Sequence, residues 1–152
     1  MRLAIGCDQN AYKLKIALIE HLREGGHEVV DYGSHEDEVV LYPDVAFEVA
    51  KEVAAGKFSR AILLCGTGIG MSITANKVVG VRAALCHDVY SAERARKSND
   101  AQIMTMGAEI IGVPLAKMLV DAWMNSEFAG GRSKPKVDRM IEIDHEYQQS
   151  KQ

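Results

Sequence analysis

Short, continuous apolar runs alternate along the chain with longer segments in which apolar residues recur every three or four positions. An unbroken run predicts a strand that is buried on both faces, whereas the wider spacing predicts an amphipathic helix. The predicted strands cover residues 2–7, 28–32, 61–65, 81–86 and 101–106. The predicted helices cover residues 11–24, 44–55, 71–78, 90–97, 114–125 and 137–149. The polar, acidic stretch 33–42 is predicted to be a loop.

Strict alternation of the two patterns predicts a parallel sheet with right-handed crossovers, covered by helices on both faces. The expected fold class is therefore α/β, with five parallel strands. A chain of 152 residues is long enough to bury a sizeable core. Because no repeat, low-complexity segment or linker interrupts the alternation, we predict a single domain over residues 1–152.

Composition narrows the possible classes of function. The net charge of −3 gives no reason to expect a nucleic acid or an acidic membrane surface as partner. No stretch approaches the roughly 20 apolar residues that span a bilayer. The three cysteines each close an apolar run, and the first residues lead straight into a strand pattern. These features predict reduced thiols in a cytoplasmic protein.

Chemistry-bearing residues follow several predicted strands at the point where each strand ends. Asp8 and Gln9 follow the first strand, Cys65 ends the third, and His87 follows the fourth. Ligands of parallel sheets bind at this edge, so Asp8, Cys65 and His87 are expected to lie along it. A thiol beside a glycine-rich turn and a helix start is suited to act as a base or nucleophile. The alternative is a buried strand–helix connection in which Cys65 is a small core residue.

Several familiar motifs can be rejected at the turn after Cys65. The dinucleotide fingerprint would place its third glycine at Met71, a P-loop would need Gly-Lys-Ser/Thr, and a cysteine phosphatase would need arginine at Met71. Histidines stand at positions 21, 27, 35, 87 and 145 without ligand spacing, so no metal site is expected.

The remaining groups suit proton abstraction beside a carbonyl. Cys65 would take the proton, and Asp8 or Thr67 would move protons between oxygens. The backbone N–H groups of residues 66–70 would hold the enediolate oxygen as charge develops.

The order of several short motifs resembles that of ribose-5-phosphate isomerase type B and the related galactose-6-phosphate isomerase subunits. The resemblance covers nearly the whole chain. It is carried by Ile5-Gly6-Cys7-Asp8, Tyr12-Lys13-Leu14-Lys15, Tyr42-Pro43-Asp44, Cys65-Gly66-Thr67-Gly68-Ile69-Gly70, Ala75-Asn76-Lys77, Tyr90-Ser91-Ala92, Asn99-Asp100-Ala101 and Gly130-Gly131-Arg132. It implies a Rossmann-like three-layer α/β/α sandwich, no metal or cofactor, and aldose–ketose isomerisation of a sugar phosphate through a cis-enediol.

The resemblance also implies roles for residues around the third strand. Cys65 would be the C–H base, and Thr67 would support proton transfer. The enediolate would be stabilised by the glycine loop, which comprises Gly66, Gly68, Ile69 and Gly70.

Other implied roles involve a second copy of the chain. Asp8 and Tyr42 would contact the sugar. Ser98 and Asn99, or the basic residues Arg132 and Lys136, would come from the partner subunit. The implied assembly is a homodimer or a dimer of dimers with the site between subunits, and the C-terminal helix would serve dimerisation.

Four positions depart from the family pattern. Gln9 replaces a phosphate-binding histidine, and Glu109 replaces a phosphate-binding arginine. Lys136 replaces one of two arginines, and lysine binds phosphate as a point charge without a bidentate fork. Ser98 replaces the histidine that opens the furanose ring. Gln9 and Glu109 therefore weaken or reverse two of the expected phosphate contacts.

Ser98 leaves the substrate open, because serine is a poor acid–base group for ring opening. The substrate is a ribose 5-phosphate/ribulose 5-phosphate pair if His87 supplies the missing acid. A four-carbon sugar 4-phosphate such as erythrulose 4-phosphate needs no such group, because its O4 is esterified and it forms no ordinary furanose. A third hypothesis is a catalytically weak sugar-phosphate-binding protein.

Overall fold

The computed structural model describes all residues from 1 to 152, and it contains a five-stranded parallel sheet with the order β2-β1-β3-β5-β4. The strands are β1 (Arg2–Cys7), β2 (Glu28–Asp31), β3 (Ala61–Cys65), β4 (Ala83–Leu85) and β5 (Ile103–Gly107). The helices are α1 (Tyr12–Glu24), α2 (Tyr42–Ala54), α3 (Ile69–Ala75), α4 (Val89–Lys97), α5 (Val113–Met124) and α6 (Lys134–Ser150). Short 3-10 turns cover Gln9–Ala11 and Gly131–Ser133.

All five predicted strands and all six predicted helices are present, with shifted ends. The third helix was expected over 71–78 but begins at Ile69, because Gly68 takes a left-handed conformation and starts it early. The fourth strand was expected over 81–86 but is shorter at both ends, and at its start the Arg82 N–H donates to the Gln102 side chain in place of a strand neighbour. The C-terminal helix begins at Lys134 instead of 137, with Pro135 in its first turn.

Alternate side chains of the central strands enter two separate cores. On one face, Leu64 and Met106 pack with the fully buried Trp123 and with residues of α1, α4 and α5. On the other face, Leu63 and Cys65 pack with residues of α2 and α3. The arrangement is the three-layer, Rossmann-like α/β/α architecture that was predicted.

The C-terminal helix α6 contributes little to either core. Val137 is its one buried residue. Met140, Ile143 and Tyr147 expose 38%, 49% and 64% of their surface. The helix therefore presents an apolar stripe that its own chain leaves uncovered. No helix combines the length and the apolar character needed to cross a membrane.

The strand register places the carboxyl ends of β1, β3 and β5 side by side. Cys7 pairs with Leu64 across β1 and β3, and Cys65 pairs with Gly107 across β3 and β5. The residues that follow these strands therefore meet at one edge of the sheet. Asp8 continues the pairing, since its N–H donates to the Leu64 carbonyl at 3.2 Å.

Candidate active site

A cleft of about 410 Å³ opens at this carboxyl edge. Its lining comes from the ends of β1, β3 and β5 and from the starts of α2 and α3. The lining residues are Asp8, Asn10, Tyr42, Cys65, Gly66, Thr67, Ile69, Gly70, Ile73 and Glu109. A depression of similar size over α1 and β2 holds no thiol or hydroxyl, so chemistry and not volume distinguishes the site.

Cys65 is the thiol of this cleft. Its side chain is nearly buried, and the Gly68 N–H donates to its Sγ at 3.1 Å. A donor aimed at the sulfur stabilises negative charge there. The other two cysteines lie outside the cleft, and burial raises the pKa of Cys7 and raises that of Cys86 to about 12. Cys65 is therefore the one cysteine that lines the cleft, and the other two thiols are held protonated by burial.

The turn after Cys65 is held by close backbone contacts. Gly68 has φ of +76°, and a β-carbon there would lie 2.7 Å from both Leu85 Cδ1 and the Met106 carbonyl carbon. The buried Thr105 hydroxyl donates to the Gly68 carbonyl at 2.9 Å. The Gly68 peptide is thus anchored on its carbonyl side while its N–H points to Cys65. Sequence reasoning missed Thr105, although a lone hydroxyl inside a buried apolar strand was an available signal.

Asp8 lies at the end of β1 with a preset orientation. The Asn10 N–H donates to its Oδ1 at 3.0 Å, and the Asn10 side-chain amide donates to its Oδ2 at 3.3 Å. Asp8 is 5% exposed. Its carboxylate therefore enters the cleft with both oxygens already accepting one hydrogen bond. Asn10 was not predicted as a site residue, although an Asp side chain that accepts from the N–H two residues on is a common turn pattern.

Tyr42 reaches the cleft from the first residue of α2. Its ring lies directly over Gly70, where a β-carbon would overlap the ring atoms. A side chain at position 70 would therefore displace the Tyr42 ring. On the same turn, the Thr67 hydroxyl accepts from the Ile69 N–H at 3.3 Å.

Two predicted residues lie near this edge but do not line the cleft. The Gln9 Oε1 accepts from the Val40 N–H at 3.1 Å and so holds the loop after β2. The His87 Nε2 accepts from the Gly107 N–H at 2.9 Å, so this nitrogen is unprotonated. Burial lowers the pKa of His87, and the neighbouring Asp88 carboxylate opposes that shift only in part. His87 is therefore a neutral imidazole with one nitrogen occupied.

The remaining predicted residues lie outside the cleft of their own chain. Ser98 and Asn99 precede β5, at the opposite edge of the sheet from Cys65. The Ser98 Oγ accepts from Arg94 Nε at 2.8 Å. Arg132 and Lys136 are exposed beside the start of α6. Consequently the cleft contains two carboxylates, Asp8 and Glu109, and no lysine or arginine. No three His, Cys, Asp or Glu side chains converge as they would around a metal ion.

The chain is similar to several known proteins along nearly its whole length. A sequence model of the family described as Ribose/Galactose Isomerase matches residues 3–140. The chain is 60% identical over 144 residues to "Ribose-5-P isomerase B" of Listeria innocua, covering 95% of this chain and 97% of that protein. It is 50% identical over 147 residues to "D-erythrulose-4-phosphate isomerase" of Pectobacterium atrosepticum, covering 96% and 97%. A solved structure of Clostridium thermocellum ribose-5-phosphate isomerase B superposes with a TM-score of 0.93 at 44% identity, covering 97% of this chain and 99% of that one.

The fold, the cleft and these relatives together define a sugar-phosphate isomerase of the aldose–ketose class. The chain belongs to the Ribose/Galactose Isomerase family. The resemblance found in its motifs is thereby confirmed.

Replacing Gly70 by alanine tests the contact between α3 and Tyr42. The added methyl group must push the ring aside, and we expect kcat/KM for a sugar phosphate to fall about 10- to 100-fold, the usual cost of misplacing a substrate contact. Alanine is the better helix former, so the free energy of unfolding should not fall in parallel. Gly112→Ala is the matched control, because its nearest neighbour would be 3.8 Å away. Unchanged kcat/KM in Gly70→Ala would show that turnover does not depend on the position of the Tyr42 ring.

Proposed function

We propose that this chain interconverts an aldose phosphate and its ketose isomer, of the ribose 5-phosphate/ribulose 5-phosphate type, without a metal or cofactor. The observation that carries the proposal is the hydrogen bond from the Gly68 N–H to Cys65 Sγ inside the cleft. A thiol, a hydroxyl, a carboxylate and backbone donors are the groups that an enediolate mechanism needs.

Each group has a defined task in the proposed reaction. Cys65 removes the proton from C2 of the aldose and returns it to C1. The enediolate oxygen formed in between accepts hydrogen bonds from the N–H groups of the turn over residues 66–70 that do not already donate to Cys65 or Thr67, and one such donor typically contributes about 3 kcal/mol. Asp8 or Thr67 carries the hydroxyl proton from O2 to O1. The product is the ketose, and every proton is accounted for.

Substitution of the base tests the proposed mechanism. Cys65→Ala should lower kcat about 10²- to 10⁴-fold, the range for loss of a general base. Cys86→Ala is the control, because this thiol is also buried but lies outside the cleft. Turnover is measured with sugar phosphates of four, five and six carbons. Wild-type kcat in Cys65→Ala would refute Cys65 as the base, and wild-type protein that binds these compounds without turnover would favour the binding-protein hypothesis.

We also propose that the enzyme is a homodimer or a dimer of dimers whose sites are completed across the interface. The cleft of one chain holds no cation for a phosphate, while Arg132 and Lys136 are exposed elsewhere on the chain. The uncovered apolar stripe of α6 supports the same assembly. The partner subunit would thus supply the positive charge that the cleft lacks.

Complementation between two inactive variants tests the shared site. Cys65→Ala and Arg132→Ala should each be strongly impaired alone. Co-expressed as a mixture, they should recover about one quarter of wild-type activity, because half of the dimers are mixed and each of these has one intact site. If Arg132 serves the cleft of its own chain, the mixture will show only the mean of the two single variants.

A second candidate substrate is a four-carbon sugar 4-phosphate. The observation that favours it concerns the two groups that could open a furanose ring. The Ser98 Oγ already accepts from the Arg94 guanidinium, and the His87 Nε2 already accepts from Gly107. An open-chain tetrose phosphate needs neither group as an acid.

A substitution at position 98 separates the two substrates. Ser98→His supplies an acid–base group, and we expect it to raise kcat/KM for ribose 5-phosphate about tenfold or more, within the range for general acid–base catalysis. Turnover of erythrulose 4-phosphate should change far less. Ser98→Ala controls for loss of the contact with Arg94. Equal effects on the two sugars would refute the ring-opening explanation.

A further inference from the structure

Glu109 occupies the end of the cleft next to β5. The pairing of β3 with β5 continues past the strands, since Ala108 N–H donates to the Cys65 carbonyl and Glu109 N–H donates to the Gly66 carbonyl, both at 2.9 Å. The backbone of Glu109 is therefore held in register with the catalytic turn. Its side chain is exposed and starts from a backbone position directly beside this turn.

The Glu109 carboxyl group lies flat over Gly66. A β-carbon at Gly66 would lie 3.2 Å from the carboxyl carbon and 3.2 and 3.3 Å from its two oxygens. A side chain at position 66 would press against this carboxyl group. The carboxylate is thus positioned over the residue that directly follows Cys65.

The two carboxylates of the cleft differ in their partners. Asp8 accepts hydrogen bonds from Asn10 on both oxygens. The Glu109 side chain takes part in no hydrogen bond or ion pair, and the cleft that it faces offers it no basic residue. All the acceptor capacity of Glu109 is therefore available to a ligand. Asp8 and Glu109 also lie on opposite sides of Cys65, because β3 runs between β1 and β5.

We infer that Glu109 orients the substrate by accepting a hydrogen bond from a hydroxyl of its carbon chain and keeps the phosphate away from the β5 end of the cleft. The inference rests on the proposed function and adds a specificity-determining residue to it. A carboxylate accepts a strong hydrogen bond from a hydroxyl group and repels a phosphate dianion. The sugar hydroxyls consequently lie over Gly66, and the phosphate points out of the cleft toward the cations of the partner subunit.

The test compares a sugar phosphate with inorganic phosphate as a competitive inhibitor. Glu109→Ala should lower kcat/KM for ribose 5-phosphate or erythrulose 4-phosphate, whichever the wild type turns over, about tenfold or more, as expected for loss of a hydrogen bond to a charged group. Inhibition by inorganic phosphate should become several-fold tighter, because the repulsion is gone. For Glu109→Gln, kcat/KM for the sugar phosphate should fall between the values of the wild type and Glu109→Ala. Its inhibition by inorganic phosphate should match that of Glu109→Ala.

The sugar phosphate and inorganic phosphate should therefore respond in opposite directions. A general structural effect of the substitution would instead weaken the binding of both. Glu48→Ala is the matched control, because Glu48 is an exposed glutamate of α2 outside the cleft. Unchanged or higher kcat/KM in Glu109→Ala would overturn the inference.

A binding measurement keeps this inference distinct from the proposed function. Calorimetric titration of ribose 5-phosphate and of erythrulose 4-phosphate into Cys65→Ala and into Cys65→Ala/Glu109→Ala needs no turnover. At least a tenfold weaker Kd in the double variant supports the role of Glu109. Equal Kd values refute the inference and leave the isomerase proposal intact. No binding of either sugar phosphate to Cys65→Ala overturns both.

Discussion

The backbone pairing between β3 and β5 is the constraint on which the site depends. It runs from Ala61–Ile103 to Cys65–Gly107 and continues through two further hydrogen bonds, which the Cys65 and Gly66 carbonyls accept. This one ladder sets where the thiol stands and brings Glu109 over the glycine turn. It also places Thr105 where its hydroxyl reaches the Gly68 carbonyl. Because side chains alternate between faces, a slip of one residue would turn Cys65 to the wrong side of the sheet.

The distribution of charge follows from the topology of a parallel sheet. Carboxylates collect at the edge where strands end, and the arginine-rich segment around residues 94–100 lies at the edge where they begin. Arg82 and Arg96 bind the turn at Asp100, whose φ is +48°, so that segment has its own rigid frame. Within one molecule the sheet itself separates the two groups. In the proposed dimer, a sugar phosphate, which carries hydroxyls at one end and a dianion at the other, would contact the carboxylate edge of one chain and cations of its partner.

The order of strands and helices could be predicted from the sequence. Strands that are buried on both faces give continuous apolar runs, and these differ clearly from the wider apolar spacing of the helices. The residues around Cys65 were readable because glycines, a thiol and a hydroxyl stand next to one another in the chain. Thr105 and Asn10 were not recognised as site residues, and Glu109 was recognised only as a departure from a phosphate-binding arginine. Thr105 acts through Gly68, which lies 37 residues away, and Asn10 acts by holding the Asp8 carboxylate, so the local signals at these two positions do not by themselves indicate a site. Gln9 was expected to bind substrate, yet its amide holds the loop at Val40.

The sequence by itself determined the α/β class, the parallel strands and the thiol at the mouth of a glycine turn, because hydrophobic periodicity and adjacent chemistry are local properties. Only the tertiary structure decided that β5 lies between β3 and β4, since strand order depends on packing across the whole sheet. That order puts an unpaired carboxylate beside Cys65, places His87 against Gly107, and leaves Ser98 on the far edge. The physical reason is that side chains far apart in the chain meet only through strand register.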